Sequence, residues 1–512
     1  MAVGRSRAVA LLGLRGEIVE IEADLAPGVP GFTLIGLPDT ALGEARERVR
    51  SACLNSGLDL PAKRITINLS PAALPKHGSV FDLGIALAAL AAAGLVPAER
   101  VARVVHVGEL GLDGRVRATT GVLPAVLAAK RAGCVAVMVP DANAHEAALV
   151  DGIEVIPVAS LRGAAIRHGA ELEPDGSELS PARAACPAEG SPPSLELAEV
   201  IGNREAVEAL VIAAAGGHHM FLVGPPGAGK TMLASRLPAI LPPLEPEAAI
   251  EVASIRSLSG MAVERLIREA PFEAPHHTAS TASIIGGGTI SIRPGAVARA
   301  AWGILFLDEA PEFSRVTLDA LRQPLESGTI TVQRANVVAR FPANFQLVLA
   351  ANPCPCGFHG TEHCRCSPMT QRRYLGRLSG PLLDRVDIQL RVPRLSSAQL
   401  RLGRIDGAMT TAEAKERVAR ARAIAASRLA GTGHRLNAEV PGAWLRGIGG
   451  GHRLSRKTTA ALDDALEHGR ITMRGYDRVL RVAWSVADLA GRDEPGPDEV
   501  GRAIGLRMAV GA

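Results

Sequence analysis

The chain has 512 residues, 47% of them hydrophobic but only 3% aromatic, with 56 lysines and arginines against 52 acids for a net charge of +4. That length supports two to four domains, with cores built from Ala, Val, Leu and Ile. It excludes a uniformly basic chain, and no run of about 18 uncharged apolar residues is present to cross a bilayer. The opening "MAVGRSRAVALLGLRGEIVEIEADL" has an apolar run cut short by Arg15 and Glu17, too brief for a signal peptide. Seven cysteines, four of them clustered, suit a reducing compartment better than a disulfide framework, so a cytoplasmic protein is expected.

Residues 1–165 alternate strand-like runs ("RITINL", "AVMVP", "GIEVIPV") with alanine-rich helical ones ("FDLGIALAALAAAG", "VLPAVLAAKRAG"). This pattern predicts a compact α/β domain. Residues 166–196 are rich in Pro, Ser, Gly and acid, and read as a flexible linker. Residues 197–394 resume strand and helix patterns. From 395 to 512 the pattern is nearly all helical, broken by "GIGGGHR". Residues 394–512 hold 20 lysines and arginines against 13 acids, a local excess compatible with a polyanion partner or with a solvated helical surface.

The stretch "HMFLVGPPGAGKTMLASRL" is a strand, a glycine-rich turn and a helix start. Gly224-Pro225-Pro226-Gly227-Ala228-Gly229-Lys230-Thr231 fits the phosphate-binding pattern G-x-x-x-x-G-K-[ST] in that context. Glycines let backbone N–H groups close on phosphate oxygens, and the helix N-terminus adds partial positive charge. Lys230 is the candidate for the β- and γ-phosphates, and the Thr231 hydroxyl for Mg²⁺. In "WGILFLDEAPEF" four apolar residues end in Asp308-Glu309. Asp308 is the second candidate for Mg²⁺, and Glu309 the candidate that polarises an attacking water. A third strand-like run, "FQLVLAAN", ends at Asn352, placed to orient that water.

"ANPCPCGFHGTEHCRCSP" comes directly after it. Cys354, Cys356, Cys364 and Cys366 could close a tetrahedral zinc site, with His359 or His363 replacing a cysteine. The pairs are C-x-C rather than the commoner C-x₂-C, and reduced thiols without metal or a redox pair are the other readings. The earlier stretch "SGTITVQRANVVARF" alternates like a hairpin with Arg334-Ala335-Asn336 near its turn. Arg334 and Arg340 are candidates to grip phosphates or to face solvent. The helix "EAKERVARARAIAASR" lines up Arg417, Arg420 and Arg428, a row that more often marks a solvated face.

"GGHHMFLVGPPGAGKTMLA", "APHHTAS", "GGG", "FLDEAPEF", "LAANPCPCG" and "LLDRVDIQL" together resemble the magnesium-chelatase-like AAA+ ATPases, and within them the competence-related YifB/ComM family. The resemblance covers essentially the whole chain. It implies an α/β fold: a P-loop AAA+ core with a helical lid, preceded by a Lon-protease-like, S5-like α/β domain. Carried over by position, Asn352 resembles sensor 1. Arg385 resembles an arginine finger acting on a neighbouring subunit, and Arg474, with Arg478 as rival, resembles sensor 2. A finger in trans implies an oligomer, a hexameric ring by resemblance. The segments 274–295 and 327–341 resemble the helix-2 insert and the pre-sensor-1 hairpin that line a pore in that clade.

The family reads "PGEISLAHxGVLFLDE" where this chain has "PGAVARAAWGILFLDE", with alanine at 296, 298 and 301. "HVGELGLDGRVRATTGVLPAVLAAKRAG" resembles the Lon peptidase domain, but Leu123 stands where the catalytic lysine would fall, and Ser79 does not fit the serine position. Lys76 and His77 keep a peptidase reading open. The resemblance implies an ATP- and Mg²⁺-dependent DNA helicase for branch migration, with DNA and recombination proteins as partners. A chelatase-type motor remodelling a protein partner, and an ATP-dependent peptidase, are the alternatives.

Overall fold

A computed structural model describes residues 3–36, 44–76, 78–174, 195–288, 292–334, 337–359, 362–394, 408–448 and 452–509. The expected linker therefore falls largely outside the described residues, at 175–194. His77, the hairpin turn 335–336 with the Arg334 side chain, and much of "GIGGGHR" fall outside them as well.

The N-terminal part forms a seven-stranded sheet. Its spatial order is Gly31–Ile35, Arg64–Ser70, Arg15–Ala26, Gly4–Leu12, Val104–His106, Ala136–Pro140, Glu154–Val158. The first two strands in sequence pair antiparallel through a turn at Gly13. The strands Val104–His106, Ala136–Pro140 and Glu154–Val158 run parallel, joined by helices as parallel strands require. The helix Asp82–Ala92 is buried from its first residue through Ala91, as expected of a helix apolar on every side. It lies so close that a Cβ on Gly4 would stand 2.1 Å from the Ala88 carbonyl oxygen. The helix Leu161–Arg167 closes this part, and Ala170 and Leu172 still pack against its core.

The opposite face of this sheet carries the helix Val122–Arg131. Its apolar cluster continues into the next part of the chain, taking in Ala253 of the helix Pro246–Leu258 and Val263 beyond it. Gly121 N–H also donates to the Ser257 carbonyl at 3.2 Å. The two parts thus share a core rather than only a tether.

The second part is a five-stranded parallel sheet in the order Phe272–Glu273, Ile304–Leu307, Gln346–Ala351, Met220–Val223, Ile388–Arg391. The three central strands are buried at every residue. A parallel sheet covered on both faces demands such unbroken apolar runs. Ala296, Ala298 and Ala301, the positions that depart from the family pattern, are fully buried beside this sheet. Small size there serves packing within the chain.

The C-terminal helices Thr411–Arg428, Arg456–Glu467, Met473–Leu489 and Pro497–Met508 join the core on the other face. Thr410 begins the first of them with a capping box to Glu413. The arginine row resolves inward. Arg417 forks onto Glu208 at 2.8 and 3.1 Å. Arg428 pairs with buried Asp488 and lies 4.3 Å over the Trp484 ring. Only Arg420 of the three is exposed.

Candidate active site

The strand Met220–Val223 runs into the glycine-rich turn at the carboxyl edge of the sheet, where ligands bind in open α/β folds. A Cβ on Gly224 would stand 2.2 Å from the Val392 carbonyl oxygen, so the turn can leave the sheet here only with glycine. Gly227 and Gly229 have φ of +77° and +88°, and the helix Lys230–Ile240 starts immediately after.

Lys230 is buried, and its ammonium donates to the Gly224 carbonyl at 2.7 Å, the Pro225 carbonyl at 3.1 Å and Asn352 Oδ1 at 3.1 Å. Burial lowers its pKa, opposed by the charges of Asp308 and Glu309. Thr231 Oγ1 donates to Asp308 Oδ2 at 2.6 Å. A hydroxyl and a carboxylate oxygen on neighbouring elements, both hard donors, fit Mg²⁺. Strand register explains the meeting. Val223 stands opposite Ala351, and Leu307 opposite Leu349, so Gly224, Asn352 and Asp308 leave three adjacent strands at the same edge.

Glu309 comes next at φ +50°, left-handed backbone that a non-glycine residue seldom adopts. The Asp308 carboxylate accepts the Glu309 N–H at 2.9 Å. The Glu309 carboxylate meets His277 Nδ1 at 3.2 Å. Sequence reasoning assigns His277 no role of its own. It lies four residues beyond the two-residue edge strand Phe272–Glu273, which pairs with the Asp308 strand. The signal lay in "APHHTAS", but only the strand pairing connects it to Glu309.

Two of the three candidate arginines lie at the opposite edge of the sheet. Arg385 precedes the strand Ile388–Arg391, at the amino edge of the sheet, a strand length of about 13 Å from the loop. It donates to the Pro381 carbonyl at 2.5 Å and pairs with Glu326. Arg478 also lies at that edge, bonded at 2.9 Å to Asp387, which is 1% exposed. Burial works to raise the Asp387 pKa, but Arg478 and His218 outweigh it and hold the carboxyl well below its usual range. Burial pushes His219 down to about 4, and its neutral ring accepts the Leu347 N–H at 3.0 Å. Arg474, one turn before Arg478, is exposed.

The four cysteines converge. Cys354 Sγ is 3.4 Å from Cys356 Sγ and 3.9 Å from Cys364 Sγ, and Cys356 to Cys364 is 3.8 Å. All four sulfurs lie within 4.8 Å of one another. A disulfide needs about 2.05 Å. Four thiolates at ~2.3 Å from a central zinc stand about 3.8 Å apart, which these separations approach. Among the described residues neither His359 nor His363 joins the group.

In the N-terminal part Leu123 is fully buried, its N–H donating to Glu146 at 2.9 Å. The Ser79 hydroxyl donates to Glu109. The buried Lys76 ammonium is taken up by the carbonyls of Gly36 at 2.9 Å and Pro71 at 2.5 Å. No serine–lysine pair forms among the described residues, so the peptidase arrangement that Lys76 kept open is not assembled there.

Comparison with known proteins agrees in order and extent. The family described as magnesium chelatase, subunit ChlI, matches residues 196–400. Its companions match 21–143 (subunit ChlI of Mg-chelatase) and 408–507 (subunit ChlI C-terminal). An uncharacterized protein of Mycobacterium tuberculosis is 50% identical over 520 residues, covering 99% of each chain. Competence protein ComM of Haemophilus influenzae is 41% identical over 512 residues, covering 100% of this chain and 98% of that one. YifB of Escherichia coli is 40% identical over 489 residues, covering 94% and 93%. A shorter likeness, 30% over 192 residues, joins 35% of the chain to 23% of the Lon protease of Rhizobium meliloti.

The placement of Arg478 makes a prediction. Arg478→Met leaves a buried carboxylate short of its main partner, which costs about 3 kcal/mol. The expected result is a lower melting temperature with nucleotide affinity retained at about room temperature. Lost affinity with unchanged melting would place Arg478 at a phosphate instead.

Proposed function

Since the chain belongs to the YifB/ComM family of magnesium-chelatase-like AAA+ ATPases, we propose that it is an ATP-hydrolysing ring motor acting on DNA, a helicase or branch-migration translocase in recombination or transformation. The observation that carries the reading is the meeting of Lys230 with Asn352, and of Thr231 with Asp308, at one edge of the sheet. Bound Mg²⁺ would neutralise phosphate charge as the terminal phosphoryl group departs.

The residues divide the work. Lys230 exchanges loop carbonyls for β- and γ-phosphate oxygens, whose charge adds to that of Asp308 and Glu309 in favouring its buried ammonium. The loop residues 224–229 offer backbone N–H groups. Thr231 and Asp308 would hold the metal. Glu309 takes the proton of the attacking water, and Asn352 orients that water. Arg385 cannot reach its own loop, which favours a role on the neighbouring subunit's nucleotide in a hexamer. Exposed Arg474, at the start of the lid helix Met473–Leu489, is read as sensor 2. DNA is assigned to the pore hairpin formed by Thr329–Arg334 and Val337–Pro342, where Arg340 is exposed. The four cysteines are read as a structural zinc site.

The test is the ATPase rate with single-stranded DNA, forked DNA, an unfolded protein, or nothing. Stimulation by DNA is expected, and stimulation by protein alone would turn the reading toward a chelatase-like remodeller. DNA affinity should fall with salt at a slope of roughly −0.9 per neutralised phosphate on duplex.

Lys230→Ala is expected to lose nucleotide binding. Glu309→Gln should keep binding while turnover falls at least about 100-fold, the usual worth of a general base. A normal rate in Glu309→Gln would remove Glu309 from the mechanism. His277→Ala frees the Glu309 carboxylate from a bond worth about 1 kcal/mol, so the DNA-free rate should rise about five-fold, measured by phosphate release.

A further inference from the structure

The cysteine group does not stand apart from the nucleotide site. Residues 354–357 form a turn closed by Gly357 N–H donating to the Cys354 carbonyl at 3.0 Å. Gly357 is buried with φ +78°, and a Cβ there would stand 2.5 Å from Pro226 Cδ and 2.6 Å from Pro226 Cγ. The back of the cysteine turn therefore lies flush on the phosphate loop. Two residues before Cys354, Asn352 receives the Lys230 ammonium. One short arm touches the loop at both its proline and its lysine.

The second pair of cysteines sits on a different arm. Gln371, on the helix Pro368–Leu375, donates to the Cys366 carbonyl at 3.1 Å and faces Cys364 Sγ at 3.7 Å. Beyond that helix Arg377 reaches the Pro311 carbonyl and Glu312, each at 3.0 Å, just past Glu309. Sulfur bridges the two arms. Backbone N–H groups of Phe358 and Arg365 are directed at the Cys356 sulfur, and that of Cys356 at the Cys366 sulfur.

We propose that a zinc ion held by Cys354, Cys356, Cys364 and Cys366 acts as a clamp on the phosphate loop, so that metal occupancy sets the affinity for nucleotide. The inference rests on the zinc reading given above and adds its consequence. With the ion in place the two arms are one rigid body, seated on Pro226 at one end and on the segment after Glu309 at the other. Without it only weak thiol contacts such as Cys356 with Cys364 at 3.8 Å cross the gap, and the Gly357 face is freer to lift from the loop. A loop whose N–H groups are not pre-set must be ordered by the ligand, which weakens binding.

Zinc content is measured first, on full-length protein purified without added metal, and one zinc per chain is expected. Binding of a fluorescent ADP analogue is then measured before chelation, after it under reducing conditions, and after zinc is returned. Affinity should fall about ten-fold and recover, as expected when a pre-set loop must instead be ordered by its ligand. Gly357→Ala separates docking from metal: zinc should stay at one per chain while affinity falls comparably. Absence of zinc from the purified protein overturns both the zinc reading and the clamp. Zinc present, with affinity unchanged by chelation and by Gly357→Ala, overturns the clamp and leaves the zinc reading standing. If the stripped chain loses its helical circular dichroism, Gly357→Ala decides alone, and wild-type affinity in that variant overturns the clamp.

Discussion

Parallel register is the constraint on which the site depends. Strands that run the same way and stop level deliver their next residues to a single line. Here two strands stop level, Val223 opposite Ala351, and the third ends at the same edge two residues earlier, Leu307 opposite Leu349. Their next residues are a glycine turn, an asparagine and a pair of acids. A slip of one residue in any of these strands would exchange the side chains packed on its two covered faces as well as withdraw the residue it delivers to this edge. Core packing and catalytic geometry are therefore held by the same hydrogen-bond ladder.

The same register puts the remaining charged groups out of reach. Arg385 and Arg478 belong to the opposite edge, a strand length away, and both are engaged there. Their occupations differ. Asp387 is buried beneath Arg478, with His218 beside it at 3.4 Å, so that arginine neutralises a charge the fold cannot expose. Arg385 is held by Glu326, an acid whose side chain is 62% exposed. A bond to so exposed a partner is weak and exchangeable. Of the two, only Arg385 is paired with an acid that faces solvent, although its own side chain is mostly covered and also bonded to the Pro381 carbonyl.

Much of this could be read from residues alone, for identifiable reasons. The phosphate loop demands glycine, lysine and threonine at fixed spacing, so its pattern survives without any knowledge of the fold. The hairpin Thr329–Arg334 with Val337–Pro342 shows its two-residue alternation directly. The cysteines announce themselves by rarity. What stayed hidden depends on neighbours. Helical spacing put Arg417, Arg420 and Arg428 on one row, but spacing carries no information about what covers the row. Glu208 and Asp488 lie far along the chain and draw two of the three inward. His277 reaches Glu309 through a strand of two residues, too short to leave a periodic trace.

The N-terminal part gives the same lesson in another form. A lysine in place of Leu123 would have to carry its charge into an apolar cluster completed by Ala253 and Val263. Burying an ammonium in that cluster costs several kcal/mol unless it is paired, so docking on the helix Pro246–Leu258 works against a lysine at this position. The contact continues where Gly13, in the first turn of the chain, pairs with Arg340 on the hairpin. A Cβ at Gly13 would stand 2.6 Å from the Arg340 carbonyl oxygen, so the two backbones are in contact. The N-terminal part is therefore joined to the core at two places, the helix Pro246–Leu258 and the hairpin at Arg340. Its sheet meets the hairpin backbone to backbone at Arg340, so the hairpin is braced by the N-terminal sheet as well as by the core it packs on.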